Sequence, residues 1–415
     1  MAKIRPFKGI RPVSDKAGLV ASKPYDVLNT KEAQEEAKDN PYSFLHVVKP
    51  EIDFSDDQDP YAPEVYEKGL ENFEKMKGAG VFVKDEKPAI YLYELTMNGH
   101  SQTGIVACAA IEDYFNEVIK KHELTRPTKE EDRKQHVRVG KMHAEPVFFA
   151  YKKDITLERI VEEMKASIAP LYDFKAADGV MHRFWALTED GVINKIVETF
   201  EKMPATYVAD GHHRTAAAAL VGREMAENNP GHTGNEEYNY FMAVHFPADQ
   251  LNIIGYNRVV RDLNGLKPTE FIDRLRNDFN ILEKGSTAYQ PEKPHEFGMY
   301  LEKKWYELTA KPHAFDENNI IRRLDVTILS QSVLTPVLHI KDLRTDDRID
   351  FVGGIRGLKA LEQRVDSGEM KLAFSLFPVS MHQLMDIADN GMIMPPKTTW
   401  FEPKLRSGLV VHVFD

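Results

Sequence analysis

Five consecutive positions, Asp210-Gly211-His212-His213-Arg214, carry a carboxylate, a glycine, two imidazoles and a guanidinium. They stand between the apolar run Ala205-Thr206-Tyr207-Val208-Ala209 and an alanine-rich stretch from Thr215 to Ala219. This spacing predicts a short strand, a tight turn and a helix that begins near Thr215. Gly211 suits a place where the backbone approaches another group closely, and a helix start aims its free N–H groups at the same place. With His and Arg donors beside it, such a turn is an anion site suited above all to phosphate. Asp210 can cap the helix or hold a magnesium ion. A plainer reading makes Asp210 an N-cap, Gly211 a turn residue and the histidines filler. Three basic side chains at one strand-to-helix turn, where α/β proteins commonly place their sites, favour the functional reading. Adjacent histidines point to different sides, so the pair without a third nearby ligand is a poor zinc site.

A second basic cluster runs from Lys120 to Lys141 in a chain that is acidic overall, and it offers Lys129 and Arg133 as further phosphate-facing cations. Their i, i+4 spacing among acids equally describes a solvated helix laced with ion pairs. Asp178-Gly179-Val180-Met181-His182-Arg183-Phe184-Trp185 reads most simply as a turn into a strand with Trp185 in the core. Pro24-Tyr25-Asp26-Val27 and Met394-Pro395-Pro396-Lys397 are loops that carry a reactive-capable group beside prolines. No Gly-x-x-x-x-Gly-Lys-Ser/Thr loop, Gly-x-Gly-x-x-Gly, His-Glu-x-x-His or Gly-x-Ser-x-Gly is present, and the Gly353–Lys359 stretch fails the phosphate-loop spacing.

The elements that position these residues alternate. Phe44–Val48 and Ala89–Tyr93 read as strands, with a helix from the Asp59–Pro63 segment to about Met76 between them. Strands follow at 104–111, 146–151, 181–188, 205–209, 240–246 and 251–260, with a helix from Thr156 to Ala169 and a closing strand at 409–414. The expected fold class is α+β, that is mixed α/β. At roughly 150 residues per domain, 415 residues make two to three domains, and the pattern suggests 1–100, 101–260 and 261–415. A formal net charge of −11 argues against nucleic acid as a partner. The single cysteine, Cys108, lies in an apolar run and reads as a buried small hydrophobe. No stretch reaches the ~18 apolar residues of a membrane helix, and the first residues lack the apolar core of a secretory signal. A cytoplasmic setting is expected, and an oligomer is left open.

Six strings in order carry a family resemblance. They are Pro-Tyr-Asp-Val (24–27), Asn-Pro-Tyr-Ser-Phe-Leu-His-Val-Val-Lys-Pro-Glu (40–51), His-Glu-x-Thr (122–125), Asp-Gly-x-x-His-Arg-x-Trp (178–185), Asp-Gly-His-His-Arg (210–214) and Met-Pro-Pro-Lys-Thr-Thr-Trp-Phe-x-Pro-Lys-Leu-x-Ser-Gly-Leu (394–409). Together they resemble domain-of-unknown-function family 1015 over essentially the whole chain. The Asp-Gly-His-His-Arg turn also resembles the phosphate-binding turn of the ParB/sulfiredoxin-like superfamily, which includes nucleotide-dependent kinases of free L-serine. That resemblance implies a ParB/sulfiredoxin-like core in the 101–260 region, with Gly211, His212, His213 and Arg214 on nucleotide phosphates and Asp210 near the metal or the substrate. Those kinases also use a catalytic glutamate upstream of the turn, which does not align with a residue here, so Glu123 and Asp26 compete for the role of base.

The combined expectation is a small-molecule phosphotransferase using ATP or ADP with Mg2+, acting on serine or a similar hydroxyl compound. Phosphoryl transfer needs positioning, cations around the transferred group and a carboxylate for the hydroxyl proton. Arg214, His213, Lys129 or Arg133 supply charge in this reading, and Asp210 is the first metal candidate. The alternatives are a phosphatase of O-phosphoserine or a related metabolite at the same site, and a nucleotide- or DNA-binding regulator.

Overall fold

The structure, a computed structural model, describes residues 1–414. The chain separates into two compact units, one built from 1–121, 125–251 and Pro403 onward, the other from 122–124 and 252–402. Each mixes helices with sheet, and the protein is of the mixed α/β class.

A nine-stranded sheet organises the first unit. Its strands in chain order are β1 (Ile4–Arg5), β2 (Ile90–Met97), β3 (His100–Ala110), β4 (Ile119–Lys120), β5 (Val147–Tyr151), β6 (Tyr172–Lys175), β7 (Met181–Leu187), β8 (Thr206–Asp210) and β9 (Tyr240–Pro247). They lie in the order β4-β8-β5-β9-β3-β2-β7-β6, with β1 paired to β3. Only β4 with β8 and β5 with β9 run parallel. The near-continuous apolar run of β3 follows from its place between β2 and β9, where a strand is covered on both faces. Cys108 lies in it, fully buried, and burial pushes its thiol well above the usual range.

Three helices of this unit matter for the site: α1 (Pro63–Gly78), α2 (Pro127–Gly140) and α3 (His212–Asn228). Proline opens both α1 and α2, where its missing N–H costs nothing and its φ suits the first turn. The helix expected near Thr215 starts three residues earlier, so His212, His213 and Arg214 all sit in its first turn. Val208, Phe149, Phe241, Ala218 and Ala219 form the core that seats α3 on the sheet. Trp185 is buried in a second core with Leu92, Ile105 and Phe200, as its strand position suggested.

One expected strand is a helix. Leu45–Val48 forms a helical turn, because Phe44, Leu45, Val47 and Val48 all pack into one core with Phe73 and Phe82, and a turn can bury successive positions that a strand would split between two faces. Tertiary packing overrides the β-branched pair here. The closing strand is shorter than expected, with His412–Val413 paired to Met142–His143.

In the second unit a six-stranded sheet holds β10 (Tyr256–Val260), β11 (Phe279–Gly285), β12 (Glu296–Leu301), β13 (Lys304–Ala310), β14 (Ile349–Gly353) and β15 (Leu372–Leu376) in the order β11-β13-β12-β15-β10-β14. Trp305, fully buried, packs there with Val259, Tyr300 and Leu361. Among the described residues no helix is long and apolar enough to cross a membrane.

Close approach between β3 and β9 depends on Gly104. A Cβ built there would lie 2.5 Å from Val244 Cγ1 and 2.8 Å from Phe246 Cζ. Gly104→Ala is expected to cost about 1–3 kcal/mol through overpacking, seen as a lower urea midpoint with an unchanged slope; an unchanged midpoint would show that this packing is looser than described.

Candidate functional site

The turn after β8 is built by glycine. Gly211 has φ +90° and ψ 36°, a left-handed conformation that a side chain resists by about 1–2 kcal/mol. A Cβ there would also meet the Arg214 guanidinium at 3.0 Å. The register between β8 and β5 shifts between Val208 and Asp210, so the strand breaks its ladder as it delivers Asp210 to the turn. Asp210 Oδ1 accepts the Gly211 N–H at 2.8 Å, and Oδ2 accepts from Lys404 Nζ at 2.8 Å.

Arg214 is buried beneath the turn and donates through one terminal nitrogen to the Pro146 carbonyl at 2.7 Å. Its Nε is buried without a partner. Burial alone would lower the pKa of Arg214, but Glu145, Asp26, Asp210 and Tyr25 together hold the guanidinium firmly charged. Burial also opposes ionisation of Asp210, and there Lys404, Arg214 and His212 win, keeping the carboxyl well below the usual range. His213 Nε2 accepts the backbone N–H of Arg126 at 3.0 Å. That bond places the His213 ring proton on Nδ1 and ties the start of α3 to the start of α2.

Beside the turn lies a cavity of about 50 Å3 whose polar lining is Arg133, His136, His143, Glu145 and Arg214. Arg133 lies over the Tyr25 ring, 3.8 Å from its centroid, donates to Asp132 at 2.8 Å and reaches Glu145 at 3.3 Å. Glu145 also accepts from the Tyr25 backbone N–H and from Ser407 Oγ. Burial raises the pKa of Glu145 in spite of Arg214 and Arg133.

The first unit therefore brings together Asp210, Gly211, His212, His213, Arg214 and, across the cavity, Arg133. Asp26 is exposed and close enough to act on the charge of Arg214. Lys129, also exposed, donates to the Tyr61 hydroxyl at 3.1 Å. Glu123 belongs to the second unit. Two residues of the cluster escaped the sequence reading, Glu145 and Lys404. Lys404 stands in the Pro-Lys-Leu of the 394–409 string, 194 positions from Asp210, and only the order of the family strings pointed to it.

The same string closes another contact. Arg406 pairs with Asp178, and its backbone N–H donates to Tyr93 Oη at 3.2 Å, which in turn lies 2.8 Å from His182 Nδ1. Burial, with Arg406 nearby, pushes His182 down to about 3. The Asp-Gly-x-x-His motif at 178–182 is thus a structural anchor for the C-terminal string.

Asp210 as a magnesium ligand does not fit these surroundings. Both oxygens are engaged, and an ammonium 2.8 Å from Oδ2 already supplies the positive charge. A hard divalent ion needs several oxygen donors, and Lys404, Arg214 and His212 surround this carboxylate with cations or nitrogen instead.

The protein is a mixed α/β protein whose β8-to-α3 turn gathers Asp210, His213 and Arg214 beside Lys404. The family model described as "Protein of unknown function (DUF1015)" matches residues 4–327, and the chain belongs to that family. Among solved structures it is similar to a conserved hypothetical protein from Pyrococcus furiosus, at 13% identity over 73% of this chain and 93% of that one, with a TM-score of 0.35. A free serine kinase variant in complex with AMP matches at 13% identity over 74% and 92%, with a TM-score of 0.37. A C-terminally truncated SbnI from Staphylococcus aureus matches at 10% identity over 73% and 85%, with a TM-score of 0.33. No curated protein matches the chain.

The Asp210–Lys404 pair sets a pH-dependent stability. Because the folded carboxyl value is depressed, the pair contributes fully above the unfolded Asp value, near pH 4, and its contribution fades as pH falls through the folded value. Lys404→Met is expected to cost about 2 kcal/mol at pH 7, with the difference from wild type shrinking in strong acid. A difference that stays constant down to pH 2 would break the assignment.

Proposed function

We propose that this chain is a small-molecule phosphotransferase that takes ATP or ADP with magnesium and phosphorylates a hydroxyl compound, free L-serine first among candidates, giving O-phosphoserine. The observation that carries this reading is the buried guanidinium of Arg214, with Nε unpartnered, directly beneath a left-handed glycine that opens a long helix. Helix-start N–H groups and an adjacent guanidinium are the donor set that phosphate oxygens require. The resemblance of this turn to that of the free serine kinases supports the choice of nucleotide and of serine.

In this reading Gly211 lets the phosphate approach the turn closely, the N–H groups of His212 and His213 donate to its oxygens, the Arg214 guanidinium neutralises the transferred group, and Lys404 turns from Asp210 toward it. Asp210 is a positioning residue that stores Lys404 beside the turn. Magnesium enters with the nucleotide rather than on Asp210. Arg133 and Lys129 add positive charge along α2. Asp26 is the proposed acceptor of the hydroxyl proton. The catalytic effect is electrostatic positioning, which for one such donor amounts to about 100- to 1,000-fold in rate.

Phosphorus NMR of the protein with magnesium, nucleotide and L-serine tests this. A phosphoserine resonance that requires nucleotide is expected, and Arg214→Ala is expected to lose it by about 100-fold or more while retaining the wild-type circular dichroism. Arg214→Ala turning over at the wild-type rate would remove the site. Free phosphate from O-phosphoserine without nucleotide would replace the kinase by the phosphatase. Silence with a salt-sensitive DNA shift would favour the regulator.

A further inference from the structure

Among the described residues the buried arginines are Arg133, Arg214, Arg258 and Arg406. Arg133 pairs with Asp132 and Glu145, and Arg406 with Asp178. Glu145, Asp26 and Asp210 act on the charge of Arg214. Arg258, in the second unit and 1% exposed, is the one on which no carboxylate acts. Burial lowers its pKa to about 10, opposed only by the Tyr256 hydroxyl, so at neutral pH the side chain is a buried cation without a counter-charge.

Arg258 stands in the middle of β10, opposite Phe351 of β14 and Phe374 of β15. Its guanidinium carbon lies 5.2 Å from the Phe351 ring centroid, and Nη1 donates back to the Tyr256 carbonyl of its own strand. Nη2 reaches the Pro396 carbonyl at 3.5 Å, beyond the ordinary range of an N–H to oxygen bond. Nε has no acceptor among the described residues. Nε and Nη2 make up the edge of a guanidinium that presents two parallel N–H groups. On that edge one donor is unused and the other holds a stretched contact.

The stretched contact comes from the 394–400 string, which is fastened at one end. Trp400 meets the Tyr256 ring edge-on at 5.0 Å, and its own ring lies so close over Gly353 that a Cβ there would be 2.9 Å from it. Next to Pro396, Lys397 is held at φ 58°, a left-handed conformation unusual for a residue with a side chain. Non-glycine residues in that conformation gather at ligand clamps and switch segments. The string is thus pinned at Trp400 and slack at Pro396.

We infer that Arg258 is the floor of an anion site in the second unit, covered by the Pro396 carbonyl, and that its ligand is the carboxylate of a small organic acid. The two carboxylate oxygens take the Nε and Nη2 protons side by side, the arrangement that a guanidinium fork matches, and the Pro396 carbonyl moves aside. Charge decides between carboxylate and phosphate. One guanidinium balances one negative charge, and Tyr256, Phe351, Phe374 and Pro396 around it supply no second cation at that depth. A phosphate monoester brings about −1.5 to −2 at neutral pH and would bury the excess. Lys397, whose ammonium lies 5.6 Å from the Tyr256 ring centroid, makes the rim positive and attracts the acid on approach. Packing alone gives no reason for a charge here, because a long apolar side chain fills such a place without the cost of desolvating an ion. The inference does not rest on the phosphotransferase reading, which concerns the Gly211 turn of the first unit.

Nitrogen-15 NMR of the arginine Nε–H groups in the full chain tests it, with the Arg258 signal assigned by its loss in Arg258→Lys. Acetate, inorganic phosphate and chloride are titrated at equal ionic strength and neutral pH. The Arg258 Nε proton is expected to move downfield and saturate with acetate, to move less with phosphate and to stay in place with chloride. Arg258→Lys keeps the charge and loses the fork, and it is expected to weaken acetate binding by about tenfold or more. The acetate-dependent rise in melting temperature of the wild type should shrink in the variant to match. An Arg258 signal that neither acetate nor phosphate moves overturns the site. Saturation with phosphate and none with acetate overturns the carboxylate assignment, and equal acetate-dependent rises in wild type and variant overturn the role of Arg258. Phosphoserine formation, or its absence, decides only the reading of the Gly211 turn.

Discussion

Arg133 and Arg214 are each more than nine-tenths buried, and a guanidinium leaves water only where carboxylates, carbonyls or a ring face receive it. Meeting that requirement draws in Asp132, Glu145, Tyr25, Val48 and Pro146 from separate parts of the chain. The cost of burying these charges explains why their partners are gathered around one cavity. Truncating any one partner would strand a buried charge, so the cluster pins α2, α3 and the start of β5 to one another.

The turn at Gly211 depends on this cluster. Arg214 reaches Pro146 only by folding back under the first turn of α3, and the absence of a Cβ at Gly211 makes room for it. His213 takes the Arg126 N–H, so two helix starts meet at one ring. Lys404 then sits on Asp210, placing an ammonium beside the guanidinium. An anion at this place would find N–H groups, a guanidinium and an ammonium already oriented, and pre-orientation is where most of the rate of phosphoryl transfer comes from.

Much of this was readable from local sequence. The strand-turn-helix around 205–215, the central strand expected at 104–111 and found at His100–Ala110, and Trp185 in the core all follow from apolar periodicity and glycine placement. What was not readable depends on long-range pairing. Val47 and Val48 have strand propensity, yet a core shared with Phe73 makes them helical. Glu145, in an unremarkable His-Ala-Glu-Pro segment, acquires its meaning from Arg133 and Arg214, and Lys404 from a residue 194 positions earlier. His143 and His412, whose rings stack, are 269 positions apart, beyond any spacing rule. Asp210 looked like a metal ligand because its carboxylate precedes a phosphate-type turn; the lysine that occupies it comes from the far end of the chain.

Whether phosphate docks at the start of α3 over Arg214 is decided by a crystal structure of the complex with ADP. The terminal phosphate is expected against the N–H groups of the first turn of α3, with Arg214 Nε donating to one of its oxygens and Lys404 displaced from Asp210. ADP bound elsewhere on the chain, with Arg214 Nε still unpartnered and Lys404 still on Asp210, would contradict it.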